Sequence, residues 1–540
     1  MSKWNFADLW EHCAEIRGDQ RAQVFGDQTT SWTEFNRRAN GVAQTMIDAG
    51  VKKQGKSAQY MYNSPPYMES VFASFKASLV PVNTNYRYAD NELLYLWDNS
   101  DAEVVTFHAT FVDTIERIRD QLPKVKLWLW VDDGTNPCPD WATDYETAAA
   151  AGTDENVSAP WGRSGSDLWF LYTGGTTGMP KGVMWDQNTL IEVTTKTHPM
   201  PLGPDADIEA WKEVTRQIGE LAPVMLPGAP LMHGTGHISA MNALTAGGCL
   251  VTLPNRHFDP PLMLDAIERE KVTAVIIVGD AFARPIVEAL DEHPDRWDLS
   301  TVASMVSSGV MWSQPIKERL LSYMPDLIIF DSLGSSEAIG MGASYSSKDN
   351  IGSTAKFDLG DSGIVIREDG ELVEPGSGDI GRLGVKGLMP VGYYKDEVKT
   401  QATFPTINGV RYSLPGDWAT VEADGTITLL GRGSQCINTG GEKVFPEEVE
   451  EALKMHPRIV DAIAVGVPDE RFGSIITAVV EPTVGPPLDE DEIIAHVKTQ
   501  LAHYKAPRKV FTVDSLTRAA NGKIDYKKWT GYAAEQAGVS

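Results

Sequence analysis

The chain is 540 residues long, with 42% hydrophobic and 22% charged residues, which excludes a disordered or fibrous protein and points to a large globular domain with at least one smaller one. A formal net charge of -27 argues against a general binder of nucleic acid or of anionic membranes, so an anionic ligand must meet a local cluster of cations. Four scattered cysteines, an N-terminus without an apolar signal core and the lack of a long uncharged run give the expectation of a soluble, cytoplasmic protein with reduced thiols and no integral membrane segment.

In chain order, the first stretch with chemical content is the strand-like run Leu168 to Tyr172, followed by "YTGGTTGMPKG", residues 172–182. It is not a Walker loop: Pro180 stands where the Walker glycine precedes the lysine, and proline has no N–H to offer a phosphate. Glycines that let backbone amides approach, threonine hydroxyls and the cation of Lys181 still suit a phosphate, and a glycine-rich surface turn is the competing reading. From Lys271 onward, apolar runs alternate with amphipathic ones: "VTAVIIVGD", "ARPIVEALDEH", "VASMVSSG", "QPIKERLLSYM" and "DLIIFDSLGSSE". That alternation predicts βαβ units and a parallel sheet, with Pro315 in the first turn of its helix.

Ligands of parallel sheets gather at the carboxyl ends of the strands. Three such ends carry small or polar residues, Gly279-Asp280, Ser308-Gly309 and Gly334 to Glu337, which predicts one shared cleft. Between about Gly352 and Leu430 the runs shorten and are broken by glycine and proline, predicting antiparallel or barrel-like structure. Past Arg432 a compact α+β pattern follows: helix "PEEVEEALKMH", strands "DAIAVGVPD" and "SIITAVVEP", helix "DEDEIIAHVKTQLA", strand "KVFTVD" and a lysine-containing tail. The expected division is 1–432 and 433–540, with the junction in "LLGRGSQ".

Seven stretches, in order, resemble those of the adenylate-forming superfamily, which includes acyl-CoA synthetases, luciferases and peptide-synthetase adenylation domains. They are "YTGGTTGMPKG", "PLMHGTG", "DSLGSSE", "VGYYKD", "YSLPGDWA", "GRGSQCINTGGEKVFPEEVE" and "LTRAANGK". The resemblance implies an α/β fold: a large N-terminal domain of doubly wound parallel sheets with a small β-barrel-like region, then a small mobile α+β domain carrying a catalytic lysine. It implies attack of a carboxylate on the α-phosphorus of ATP, with Mg²⁺, and transfer of the acyl group to coenzyme A. Both reactants are anions, so such catalysis consists of positioning and charge neutralisation.

The same resemblance distributes roles. Catalytic parts fall to Lys523, Glu337, Thr173 and His233, with Glu337 as the Mg²⁺ ligand. ATP contacts fall to Thr173, Gly174, Gly175, Thr176, Thr177, Gly178 and Lys181 in a lid over the phosphates, and to Ser308, Gly309, Asp331, Ser332, Leu333, Gly334, Ser335 and Ser336. Asp417 is implied to accept both ribose hydroxyls, beside Arg432. His233, Gly234, Gly279, Asp280, Ala281, Gly309 and Gly334 are implied to line the acyl site, and Gly441 the pantetheine path. Lys443, Lys505 and Arg508 are candidate partners of the coenzyme A phosphates, or ordinary surface cations. Without the motifs, Glu337 reads as a helix-capping acid, Asp417 as a turn residue, His233 as a core histidine, and Arg432 and Lys523 as solvated cations.

Three positions depart from the pattern: Leu333 where an aromatic is common, implying aliphatic packing on adenine; Ser434 at the hinge, where aspartate or lysine is usual; and Thr517 where proline is usual. Within the superfamily the chain most resembles actinobacterial-type acyl-CoA synthetases, some of which activate steroid side-chain acids, on "LLYTGGTTG-PKGVMW"-like, "GDAFARP" and "GYYKDE" stretches. That implies a bulky, branched or steroid side-chain acid, or a medium- or long-chain fatty acid. A free-standing adenylation enzyme loading a carrier protein and a non-catalytic nucleotide binder are the alternatives, the latter disfavoured by retention of Glu337 and Lys523. A homodimer is compatible with this reading.

Overall fold

The computed structural model describes residues 4–173, 179–195, 207–310, 312–352, 354–439, 442–469, 471–519 and 522–539, with the side chains of 434 and 443 outside that description. Two large sheets form the N-terminal domain. In one, the parallel strands Val80–Asn83, Lys56–Tyr60, Ala102–His108 and Leu127–Val131 lie beside Leu168–Thr173, which turns back antiparallel into Lys181–Asp186. These inner strands are nearly continuous apolar runs, as burial on both faces requires.

In the second sheet, Arg21–Phe25, Cys249–Thr252, Val224–Pro227, Ala274–Ile277, Ser304–Ser308 and Ile328–Ser335 run parallel. Helices Pro260–Glu270, Asp280–Glu292 and Gln314–Tyr323 make the crossovers. This is the βαβ series that the alternation predicts, and Pro315 sits in the first turn, where a missing N–H costs nothing. The sheet then changes character. Ile328–Ser335 turns tightly into the antiparallel strand Ala338–Ser346, and the ladder continues through Lys356–Leu359, Ile427–Arg432, Val410–Val421, Ile380–Lys386 and Gly363–Ile366. Its inner face buries Ala338, Met341, Phe357, Val365, Leu383, Val385 and Ala419, giving the barrel-like unit expected from 352 to 430.

The small C-terminal domain holds a three-stranded sheet of Ile459–Asp469, Gly473–Pro482 and Lys509–Thr512. Strand residues Ala462 and Ala464 face helices Pro446–Lys454 and Glu490–Gln500, whereas Ile463, Val465 and Val467 face Leu516, Trp529 and Ala533. The lysine-containing tail of the sequence reading is thus corrected: residues Tyr526–Gln536 form a helix, capped by Asp525 accepting from the Lys528 N–H. Its signal was present, because "DAIAVGVPD" is apolar on both faces and a second cover was required.

Candidate active site

The turn between Ile328–Ser335 and Ala338–Ser346 presents Glu337. Three donors hold it. The Tyr393 hydroxyl gives a 2.6 Å hydrogen bond to Oε1, Ser413 Oγ a 2.6 Å bond to the Glu337 carbonyl, and Trp185 Nε1 a 3.0 Å bond to the Ser336 carbonyl. Tyr393 sits in the "GYYKD" stretch, whose function sequence reading left unassigned; burial and the Glu337 charge push its phenol well above the ordinary range. Ser335 Oγ accepts from the Ala338 N–H at 3.2 Å, so this hydroxyl is used inside the turn.

Asp417 and Arg432 face each other as registered partners of adjacent antiparallel strands. Arg432 Nε donates to Asp417 Oδ1 at 3.3 Å, while Oδ2 is buried without a hydrogen-bond partner. An orphaned buried acceptor is costly, and a ligand hydroxyl would satisfy it. Burial raises the Asp417 carboxyl, with the Arg432 guanidinium working against that.

Lys523 closes this cluster from the small domain. Its ammonium is pushed below the ordinary lysine value by burial and then by the Arg432 charge, while Glu337 and Asp417 oppose the shift. A lysine that feels all three charges stands among them. The loop is seated by apolar contact: a Cβ added at Gly522, whose φ is +71°, would come 3.1 Å from Val310, 3.2 Å from Val278 and 3.3 Å from Ala281. Arg518 braces it from the other side, donating to the Gly522 carbonyl at 3.0 Å and pairing with Asp461 at 2.6 Å.

Two strand ends lie beside this loop, through Val278 and Ala281 on one and Val310 on the other. The Gly279 N–H donates to Ser307 Oγ at 2.8 Å and Asp280 Oδ1 accepts from the Ser313 N–H at 3.0 Å. Ala281, expected as acyl wall, forms the floor beneath Gly522. Across the cleft, His233 precedes helix Gly234–Thr245; burial, then the Lys523 and Arg87 charges, depress its imidazole to about 4, so it is neutral. A Cβ on Gly234 would lie 3.0 Å from Leu171 and 3.9 Å from Ser336 Oγ, and one on Gly309 3.9 Å from Thr235 Oγ1. Strand 168–173, the 234 helix and the 336 turn therefore converge, with Ser308 and Ser332 as directly paired residues of neighbouring parallel strands.

Several expectations are redirected. Thr173 pairs with Lys181 at the base of the phosphate loop, but Gly174, Gly175, Thr176, Thr177 and Gly178 lie outside the described residues. Lys181, expected to offer a free charge, is closed in an ion pair with Asp396. Asp331 accepts from the buried Lys317 ammonium at 3.1 Å; burial raises its carboxyl to about 6 against that pairing. Leu333 packs against the barrel core beside the Gly334 turn. Lys505 pairs with Glu448 at 2.5 Å and Arg508 stacks 4.0 Å above the Phe472 ring, so neither is an unengaged phosphate ligand. Gly441 and the Lys443 side chain are outside the description.

Comparisons with known proteins give the family. The AMP-binding enzyme family matches residues 10–394, and the AMP-binding enzyme C-terminal domain matches residues 448–523. A 3-oxocholest-4-en-26-oate–CoA ligase of Rhodococcus rhodochrous is 39% identical, over 99% of this chain and 96% of that one. A medium/long-chain-fatty-acid–CoA/3-oxocholest-4-en-26-oate–CoA ligase of Mycolicibacterium smegmatis is 38% identical, over 98% and 97%. Among solved structures, an anthranilate CoA ligase in complex with anthranoyl-AMP superposes with a TM-score of 0.84 at 20% identity, over 100% of this chain and 99% of that one. The chain belongs to the AMP-binding enzyme family. It is an adenylate-forming enzyme, an AMP-forming acyl-CoA synthetase that uses ATP and coenzyme A. Among the described residues no helix is long and apolar enough to cross a membrane.

Proposed function

We propose that the acid activated is hydrophobic and bulky, either a steroid side-chain acid or a medium- to long-chain fatty acid, and that Lys523, Glu337, Asp417, Arg432 and His233 carry the chemistry. The observation behind it is the seating of Lys523 among Glu337, Asp417 and Arg432. In the first half-reaction a carboxylate oxygen of the acid bonds to the α-phosphorus, the bond from that phosphorus to the bridging oxygen breaks, and pyrophosphate leaves with the electron pair. Lys523 offsets the charge of two anions brought together, in a site where burial strengthens the attraction. Asp417 Oδ2 takes a ribose hydroxyl. In the second half-reaction the coenzyme A thiolate attacks the acyl carbon, and AMP leaves.

Mg²⁺ fits the donor set in one way. Among the described residues no group of three or more His, Cys, Asp or Glu could hold a metal, so Glu337 would bind the ion jointly with phosphate oxygens and water, a mode common for this cation. The choice of acid rests on the curated relatives. A division of the domains at 432/433, a cytoplasmic location and a homodimer belong to the same proposal. The test is a mass-spectrometric product screen with ATP, Mg²⁺ and a panel of fatty, aryl and steroid side-chain acids, with and without coenzyme A. Acyl-CoA and AMP from a bulky aliphatic acid are expected. Turnover of aryl acids alone would overturn the substrate, and acyl-AMP that ignores coenzyme A would favour a carrier protein as acceptor.

A further inference from the structure

Glu447 lies in the first turn of the small domain's helix Pro446–Lys454 and reaches across the connection at 433–435 to the large domain. Its Oε1 accepts from the Arg432 N–H at 3.4 Å, and Oε2 is buried with no hydrogen-bond partner. A Cβ built on Gly431, whose φ is +115°, would overlap the carboxyl, so glycine at 431 makes room for this acid. We propose that Glu447 is a positioning residue for adenylation: its carboxyl seats the small domain on Gly431 and the Arg432 backbone, and so brings Lys523 to the Asp417–Arg432 pair that the strand register has already set. The proposal rests on the adenylate-forming activity and adds a residue to it.

A carboxylate with one oxygen orphaned in a buried site is costly, whereas the neutral acid is tolerated. The groups facing Glu447 favour the neutral form. Asp417 comes from strand Val410–Val421, Glu450 from its own helix and Tyr526 from the C-terminal helix, and the Arg432 charge opposes them. Glu450 is itself held, accepting from Tyr526 Oη at 2.7 Å and from the Ala464 N–H at 3.1 Å. Burial, then Glu450 and Asp417, push the Glu447 carboxyl up to about 8. Away from the hinge strand it returns toward its ordinary 4.5. Seating therefore takes up a proton. It is unpenalised below pH 4.5, weakens as pH rises from there to about 8, by at most tenfold per unit, and is level above that.

The experiment measures the half-reactions separately from pH 5.5 to 9: acid-dependent ATP–pyrophosphate exchange, and consumption of supplied acyl-AMP with coenzyme A. For Glu447→Ala, exchange is expected to fall about tenfold with acyl-AMP consumption kept. For Glu447→Gln, which mimics the neutral acid, exchange is expected to recover and lose the wild-type decline between pH 5.5 and 8. Gly431→Ala, which evicts the carboxyl, should reproduce the Ala phenotype, and circular dichroism reports whether each variant folds. Equal loss of both half-reactions in a folded Glu447→Ala protein, or a Gln variant with the wild-type pH profile, overturns the proposal. Absence of exchange in the wild type would instead count against adenylate formation itself, so the two failures are distinguishable.

Discussion

The two sides of the catalytic cleft are assembled by different physics. On the ribose side, Asp417 and Arg432 are opposed by β-ladder register, 15 residues apart on neighbouring strands of one barrel-like unit. A register error there would turn the barrel's apolar face outward, so their pairing is as secure as the core beneath it. On the phosphate side, Lys523 arrives from a separate domain, seated by Gly522 on Val278, Ala281 and Val310 and by Glu447 on Gly431. That seat combines apolar contact at Gly522 with a polar contact at Glu447. One wall of the site is built by strand register within a single unit; the other is built by contact between two units.

The largest expected effect removes the lysine that the small domain brings to the cluster. Lys523→Ala is expected to slow adenylation by about 10²- to 10³-fold, the usual cost of losing one preorganised electrostatic donor, while consumption of supplied acyl-AMP with coenzyme A is kept. Equal loss of both half-reactions would place the lysine outside the adenylation step. On the built-in side, Asp417→Ala is expected to raise KM for ATP in pyrophosphate exchange, and KM for supplied acyl-AMP in the thioester-forming step, by about 10- to 100-fold each, from one or two hydrogen bonds to a charged acceptor. A change in kcat alone would count against a ribose contact.

The same contrast explains what the sequence reveals. Strand ends such as Gly279-Asp280 and Gly334 to Glu337 are legible because a buried parallel strand followed by small polar residues leaves a periodic trace. The register of Asp417 and Arg432 is readable only through the motif resemblance, since nothing local says which strands pair. Long-range ion pairs leave no trace at all: Lys181 meets Asp396 across 215 residues, so its occupied state could not be foreseen. Lys317 reads as an ordinary helix cation, yet it is buried against Asp331. Glu447 reads as a first-turn acid complementing the helix dipole, and only the fold brings it against Gly431. Residues whose role depends on docking are the ones hidden from a linear reading.

Gly522→Ala sharpens the comparison at intermediate size. An Ala at φ +71° costs about 1 to 2 kcal/mol, and its methyl would crowd Val310, Val278 and Ala281, so adenylation is expected to fall about tenfold with KM for ATP unchanged. The separation of kcat from KM is the informative reading, because a variant that merely loosened the large domain would move both.

The smallest expected effect is a null one, and it concerns His233. Burial and two nearby cations hold its imidazole near 4, so the ring is neutral in the folded protein at every pH above about 5. Its charge therefore cannot shape the pH profile between 5 and 7, and any acid limb there belongs to other groups. His233→Gln, which keeps a neutral hydrogen-bonding side chain, should change KM for the acid modestly and leave the shape of the profile intact, as followed by pyrophosphate exchange. Disappearance of an acid limb in that variant would show that the ring titrates during turnover, which requires it to lose its burial as well as the neighbouring Lys523 charge. That outcome would mean that the seated arrangement, with lysine and histidine side by side, is occupied for only part of the catalytic cycle at those pH values.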